Sequence, residues 1–426
     1  MRILINILSR LIKRGLFKLS FTAGTTGLRE NLMVLSSLLK AKPLKQGKWI
    51  SAFHDEVTSL LGTKYAFSFA AGRMALYAIL EALDIGEDDE VILPGYTCVV
   101  VPTAIVMIRA KPIYVDISRK DYNIDAAKIE EQITPKTKVI IAQHTYGSPC
   151  DLDTIRKLCD KYKLYMIEDC AHTIGMEYKG EKLGTFGDAS FFSTDHTKYI
   201  STSIGGIAVT SNNRIGEKLS SIYAKTPFLN RSQILRILLQ FIVVNLLYHP
   251  RFYFLGRALY YLYERARLPF FMGNYAEIKR PDDYPYPARL SNIQAKIGTL
   301  QLKRLKQNTE HRRYIFARYK QIFTGFKIKN TSPSPLRFVF EVTNREEWIK
   351  RLSPLLKVET WFDSCAQGKY CNLSEIGYNH GSCPIAEGVT QRIVNLPTHQ
   401  KVRPQDVDEI AALLNKDLMR EIVTED

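Results

Sequence analysis

Between residues 65 and 211 the chain alternates short apolar runs with amphipathic stretches, and this alternation restricts the fold more than any other feature. "EVILPGYTCVV" (90–100), "KPIYVDI" (111–117), "KVIIAQHTYG" (138–147), "LYMIEDCA" (164–171) and "GIAVTS" (206–211) have the length and apolar density of strands. "MALYAILEAL" (74–83), "IDAAKIEEQI" (124–133) and "LDTIRKLCDKY" (152–162) between them carry helical patterns. Strands that are apolar on successive positions are buried on both faces, which calls for a mainly parallel sheet covered by helices on each side. The texture changes from about residue 282. Residues 292–323 predict one long helix or two, followed by a strand (336–342), a helix (344–356) and a further helix (404–418). The expected architecture is α/β: a large domain with the parallel sheet over 49–305, interrupted at about 226–281, then a smaller C-terminal α+β domain over 306–426. A basic segment, 1–48, precedes both.

Charge is informative once it is located. The chain of 426 residues carries a net charge of +16. Residues 1–48 hold ten Lys/Arg against one acid, Glu30, and residues 225–280 hold nine against two, Glu264 and Glu277. The rest of the chain balances. A nucleic-acid enzyme concentrates basic residues around its cleft; here they sit on two appendages, so no nucleic-acid partner is expected. On a helical wheel "MRILINILSRLIKRGLFKLSF" (1–21) separates leucines and isoleucines from Arg2, Arg10, Lys13, Arg14 and Lys18, as a helix lying in a membrane interface does. An Arg-rich transit peptide has the same pattern. "ILLQFIVVNLLY" (237–248) and the aromatic, Arg-rich 251–271 form the second segment, too short for a confident span. Peripheral contact with the cytoplasmic face of a membrane is expected, against a lid or an extra dimer-interface element. Seven Cys without a CxxC pair argue for a reducing compartment, the cytoplasm, and Cys365, Cys371, His380 and Cys383 fit no common zinc spacing, so no metal is expected.

In open parallel sheets ligands bind beyond the carboxyl ends of the strands. Asp169 ends "YMIED", Lys198 follows "ASFFS", and Gly72-Arg73 open the first helix, whose free N–H groups form a natural phosphate site. Lysine, carboxylate and phosphate cup suit pyridoxal 5′-phosphate. Taken singly, each residue also has an ordinary reading: a surface lysine, a helix-capping aspartate, a turn glycine.

The stretches "AAGRMALYAIL" (70–80), "DEVILPGYTCVVVPTAI" (89–105), "AQHTYGSPCDLDTI" (142–155), "IEDCAHTIG" (167–175), "GTFGDASFFSTDHTK" (184–198), "ARLSNIQAKIGTLQLKRL" (288–305) and "NLPTHQKV" (395–402), in this order, resemble the DegT/DnrJ/EryC1/StrS sugar-aminotransferase family of fold-type-I enzymes. The resemblance implies that Lys198 is the Schiff-base lysine and Asp169 the partner of the pyridinium nitrogen. It further implies that His172 contacts the cofactor's phenolic oxygen and that Ser193 binds its phosphate beside Gly72. The implied reaction moves an amino group from glutamate to a nucleotide-linked keto-sugar, in a homodimer. Family dehydratases replace the lysine, so Lys198 favours transamination. Another carbonyl substrate, lipid-linked for example, or a non-catalytic scaffold of the same fold remains open. Three positions depart from the family. Cys98 stands where an aromatic residue stacks on the cofactor ring, with Tyr96 a nearby substitute. Arg73 replaces a Thr after the phosphate-loop glycine, and Pro287 replaces an Asn that reaches the neighbouring subunit.

Overall fold

The computed structural model describes residues 18–21, 24–39, 43–250, 253–254, 285–324, 335–358, 360–366, 372–414, 419–420 and 422–423. The first half comprises α1 (Leu28–Leu39), α2 (Trp49–Leu61), β1 (Tyr65–Phe69), α3 (Gly72–Ala82), β2 (Glu90–Pro94), α4 (Val100–Met107), β3 (Lys111–Val115) and β4 (Thr137–Gln143). There follow α5 (Leu152–Tyr162), β5 (Tyr165–Asp169), a small hairpin of β6 (Glu177–Tyr178) and β7 (Glu181–Lys182), β8 (Ala189–Ser193), β9 (Gly206–Thr210), α6 (Asn213–Lys225) and α7 (Arg231–Leu247). The remainder is α8 (Asn292–Leu302), α9 (Leu305–Ile322), β10 (Arg337–Glu341), α10 (Arg345–Leu352), α11 (Pro384–Arg392), β11 (Ile393–Pro397) and α12 (Pro404–Leu413).

Seven strands form one sheet in the order β1-β9-β8-β5-β4-β2-β3. Neighbours from β3 through β8 pair in parallel, and only β9 runs against the rest. Successive residues of one strand enter opposite cores: Val91 and Leu93 pack with α3 and α7 on one face, Ile92 with α2 and α5 on the other. This two-sided burial is the physical origin of the unbroken apolar runs. A second sheet, β10 antiparallel to β11, closes a separate core around Trp348, Phe338 and Tyr319.

Residues 292–323 form two helices, broken after Leu302. The helix expected over 124–133 does not form. Two single 3₁₀ turns, Ala126–Lys128 and Glu130–Gln132, replace it. Ile124 is bridged to Ile117, and the Asp125 side chain caps the first turn, so the segment is drawn along the sheet edge instead of coiling. The basic segment is also less of an appendage than its charge implied. Leu19 pairs with Leu356, the Ser20 carbonyl faces His399 Nε2 at 2.8 Å, and Phe21 lies 4.5 Å from the Arg337 guanidinium. The amphipathic pattern of 1–17, Cys371 and most of 251–271 lie outside the described residues. Of the remaining cysteine–histidine candidates, His380 is at the surface against Glu387, while Cys365 and Cys383 are buried in an aromatic core.

Candidate active site

One cavity of about 330 Å³ opens beyond the carboxyl ends of β1, β2, β4, β5 and β8, and Gly72, Arg73, Cys98, Asp169, His172, Ser193 and Lys198 all line it. Each expected residue is thus brought to one place. The Ser/Thr-rich stretch around Lys198 explains how a lysine is held there. Thr194 and Thr202 hydroxyls meet at 2.7 Å, Gln294 Nε2 donates to the Ile204 carbonyl, Gln301 Oε1 accepts from the Ser201 N–H, and Asn308 Nδ2 donates to the Tyr199 carbonyl. Thr25, from the basic segment, donates to the carbonyl of Lys198 itself at 3.2 Å. The loop is clamped from α8, α9 and the start of the chain, and the side chain is only 7% exposed.

Burial lowers the Lys198 pKa from 10.5 to about 8, with Asp195 the largest opposing influence. Burial likewise raises the carboxyl of Asp169, whose Oδ1 accepts the N–H of Ala171 at 3.0 Å. His172 is pushed well below its ordinary value, first by burial and then by the cation of Lys198, so the ring is neutral. Its Nδ1 accepts the N–H of Tyr146 at 3.2 Å, which leaves Nε2 carrying the proton as a donor.

At the other end α3 starts without any side-chain cap, so its first N–H groups remain available to an anion. A Cβ on Gly206 would come within 2.4 Å of the Ala71 carbonyl and 2.5 Å of the Gly72 nitrogen; only glycine lets β9 lie against this turn. Ser193 Oγ lies 3.6 Å from where a Cβ on Gly72 would stand. A phosphate bound at α3, with an aromatic ring extending toward Asp169 and Lys198, fits these residues.

Among the lining residues that sequence reasoning missed are Gln143, Arg337, Trp361 and Phe362. Gln143 ends β4 and could have been found by the strand-end rule. Its amide donates to the Tyr96 carbonyl at 2.9 Å and accepts from Thr97 at 2.5 Å, fixing the turn that carries Cys98. Trp361 and Arg337 come from the second half of the chain and have no local signature. The Trp361 ring lies 4.5 Å from Lys198 Nζ, 4.3 Å from the Arg337 guanidinium and 5.0 Å from the His172 ring. Tyr96 does not substitute for the missing aromatic residue: it is fully buried, with its hydroxyl 2.6 Å from that of Tyr146 and accepting the Phe362 N–H. Cys98 alone of the two lines the cavity. Deeper still, Glu168 accepts from the N–H groups of Gly184, Phe186 and Gly187 and faces His144 at 3.1 Å. With Cys170 these form a metal-like trio, but the carboxylate is saturated in holding the 184–187 turn.

This fold and this site define a pyridoxal-phosphate-dependent transferase of fold type I. The DegT/DnrJ/EryC1/StrS aminotransferase family model matches residues 27–227 and 272–415, and the chain belongs to that family. It is 30% identical over 402 residues to an uncharacterized protein of Methanocaldococcus jannaschii, covering 91% of this chain and 94% of the relative. It is 28% identical over 388 residues to the GDP-perosamine synthase of Caulobacter vibrioides, covering 88% and 91%. Among solved structures, Bacillus subtilis NtdA with bound cofactor PMP superposes with a TM-score of 0.71 at 21% identity, over 92% of this chain and 82% of that one. The protein is therefore a pyridoxal-phosphate-dependent enzyme of a sugar-aminotransferase family.

Proposed function

We propose that the enzyme transfers an amino group from glutamate to a keto-sugar carried on a nucleotide, acting as a homodimer. The observation that supports this most is the convergence of Lys198, Asp169, His172 and the uncapped start of α3 in one cavity. When bound, pyridoxal phosphate supplies an electron sink that stabilises negative charge at the carbon losing a proton. The chain's own groups do the rest. The first N–H groups of α3, with Ser193 and Arg73, hold the phosphate by charge-assisted bonds. Asp169 keeps a proton on the ring nitrogen, and His172 Nε2 donates to the phenolic oxygen. Lys198, with a pKa of about 8, would anchor the cofactor and then move protons at the reacting carbon, a role suited to an amine of which about one-tenth is neutral at pH 7. Trp361 lines the cavity beside Lys198, where its ring can contact the sugar.

The GDP-perosamine synthase among the relatives supports a nucleotide-linked substrate. The charge excess supports a site of action in the cytoplasm at the membrane face, where a product could pass to lipid-linked glycan assembly. The experiment is a screen: glutamate converts the cofactor to its amino form, nucleotide keto-sugars are added one at a time, and mass spectrometry reads the sugar. The expected result is one or a few sugars gaining an amino group. Amination of a lipid-linked carbonyl alone would favour the second substrate class, and no glutamate-dependent change would favour a scaffold.

A further inference from the structure

The two basic segments, more than 170 residues apart in sequence, come together in space. Helices α1 (Leu28–Leu39) and α7 (Arg231–Leu247) pack on one another, and Asn245 Nδ2 donates to Asn31 Oδ1 at 2.9 Å inside their contact. At the end of α7 the Lys18 N–H bonds the Pro250 carbonyl at 2.9 Å, and Lys18 Nζ lies 5.6 Å from the Tyr253 ring. Lys18 and Tyr253 therefore share one neighbourhood, and the sequence before the one and after the other is basic and apolar.

The outer faces of these helices are unusual. Among the described residues nine large hydrophobic side chains are exposed, and seven are leucines of α1 and α7. Leu28, Leu32, Leu35 and Leu39 repeat at helical spacing on α1, and Leu235, Leu239 and Leu246 repeat the same way on α7. Single exposed apolar residues need no explanation, but two aligned rows on adjoining helices do. The inner face of α7 is spent on the core through Ile234, Ile237, Leu238 and Phe241, so the outer leucines are not needed for folding. Neither helix exposes a carboxylate. The one acid, Glu30, is buried against Arg304, whereas Arg29, Arg231 and Arg236 are exposed beside the leucines.

From this geometry we infer that the leucine face of α1 and α7 docks on an anionic lipid surface, which deepens the membrane reading proposed above by naming the surface that makes the contact. A helix pair with leucines outward and arginines alongside buries its apolar row at the headgroup boundary while the guanidinium groups reach the phosphates. A second copy would set the exposed Arg29, Arg231 and Arg236 against their own like charges across the same face, with no exposed carboxylate of either helix to meet them. No helix among the described residues is long and apolar enough to cross a membrane, so the contact is lateral.

The test uses the full-length holoenzyme and two vesicle preparations, equimolar phosphatidylglycerol–phosphatidylcholine and phosphatidylcholine alone, read by co-sedimentation. Wild type should sediment with the anionic vesicles only, and less at about 1 M salt, where the Debye length falls to about 3 Å. The double variants Leu32→Glu/Leu35→Glu and Leu235→Glu/Leu239→Glu should each lower partitioning by about tenfold or more while glutamate turnover without vesicles stays unchanged. Wild-type binding that both variants retain would overturn the surface while leaving the membrane reading intact. No wild-type binding to either vesicle would overturn both. Variants that fall from dimer to monomer without any vesicle binding in wild type would assign the face to a second copy, and capture by an acidic protein in place of vesicles would likewise overturn the lipid.

Discussion

Replacing Lys198 by Met should stabilise the cofactor-free protein, although it removes the residue proposed to anchor the cofactor. Burial takes the lysine pKa from 10.5 to about 8, a difference worth about 3 kcal/mol. The sign follows from linkage. Below pH 8 both folded and unfolded chains carry the proton, and the folded state bears the full cost of a buried ammonium. Between pH 8 and 10.5 the unfolded chain holds more protons, so stability rises with pH, and above 10.5 the cost is gone. The Lys198→Met apoprotein should therefore resist urea better than wild-type apoprotein at pH 7, by up to about 3 kcal/mol, and this advantage should shrink through pH 8–10. The same shift governs chemistry. At pH 7 an amine of pKa 8 is about one-tenth neutral, some hundreds of times more than an ordinary lysine. Capture of added pyridoxal phosphate by wild-type apoprotein, followed by absorbance, should thus quicken about tenfold per pH unit up to about pH 8 and then level off. A Lys198→Met apoprotein no more stable than wild type at pH 7, or a difference that ignores pH, would refute the argument that burial has displaced this titration.

Gly206→Ala should weaken phosphate-dependent cofactor retention, because its methyl would strike the Ala71 carbonyl and the Gly72 nitrogen; dialysis followed by cofactor absorbance measures the loss. Cys98→Phe should be tolerated and should keep its cofactor, and alkylation of Cys98 should slow when cofactor is bound; equal labelling of apo- and holoprotein would show that Cys98 does not face the ring. Trp361→Ala should raise KM for the sugar substrate by about tenfold or more while the half-reaction with glutamate changes little, as stopped-flow absorbance can separate the two. Asp169→Asn should hold cofactor yet lose turnover by several orders of magnitude, since a neutral amide cannot keep the ring nitrogen protonated.

The parts legible in the sequence are those written by local physics. Strands buried on both faces carry runs such as "VIL" and "VIIA", and capped amphipathic helices such as 152–162 announce both ends, here with Asp151 capping the start. Strand-end rules pointed to Asp169 and Lys198, and both line the cavity, because such sheets open their crevices at the carboxyl edge. Cys98 and Ser193 came only with the family resemblance, since a lone thiol or hydroxyl after a strand has no signature. Trp361 and Arg337 could not be read at all: each reaches the cavity through the packing of the second sheet on the first, with the Leu336 N–H bonding the Tyr146 carbonyl at 3.2 Å. Nor does anything near Thr25 announce that it will hold the backbone of Lys198. The helix expected over 124–133 failed although its pattern is helical, because the edge pairing of Ile124 with Ile117 and the Asp125 cap on a single turn won over local propensity.

The central claim is that Lys198 is the residue that holds the cofactor. Borohydride reduction of the holoenzyme followed by peptide mass spectrometry tests it directly. A single pyridoxyl-phosphate adduct is expected on the peptide that contains Lys198, absent when the residue is Ala. An adduct on another lysine, or none in a protein that still binds the cofactor and aminates a sugar, would contradict it.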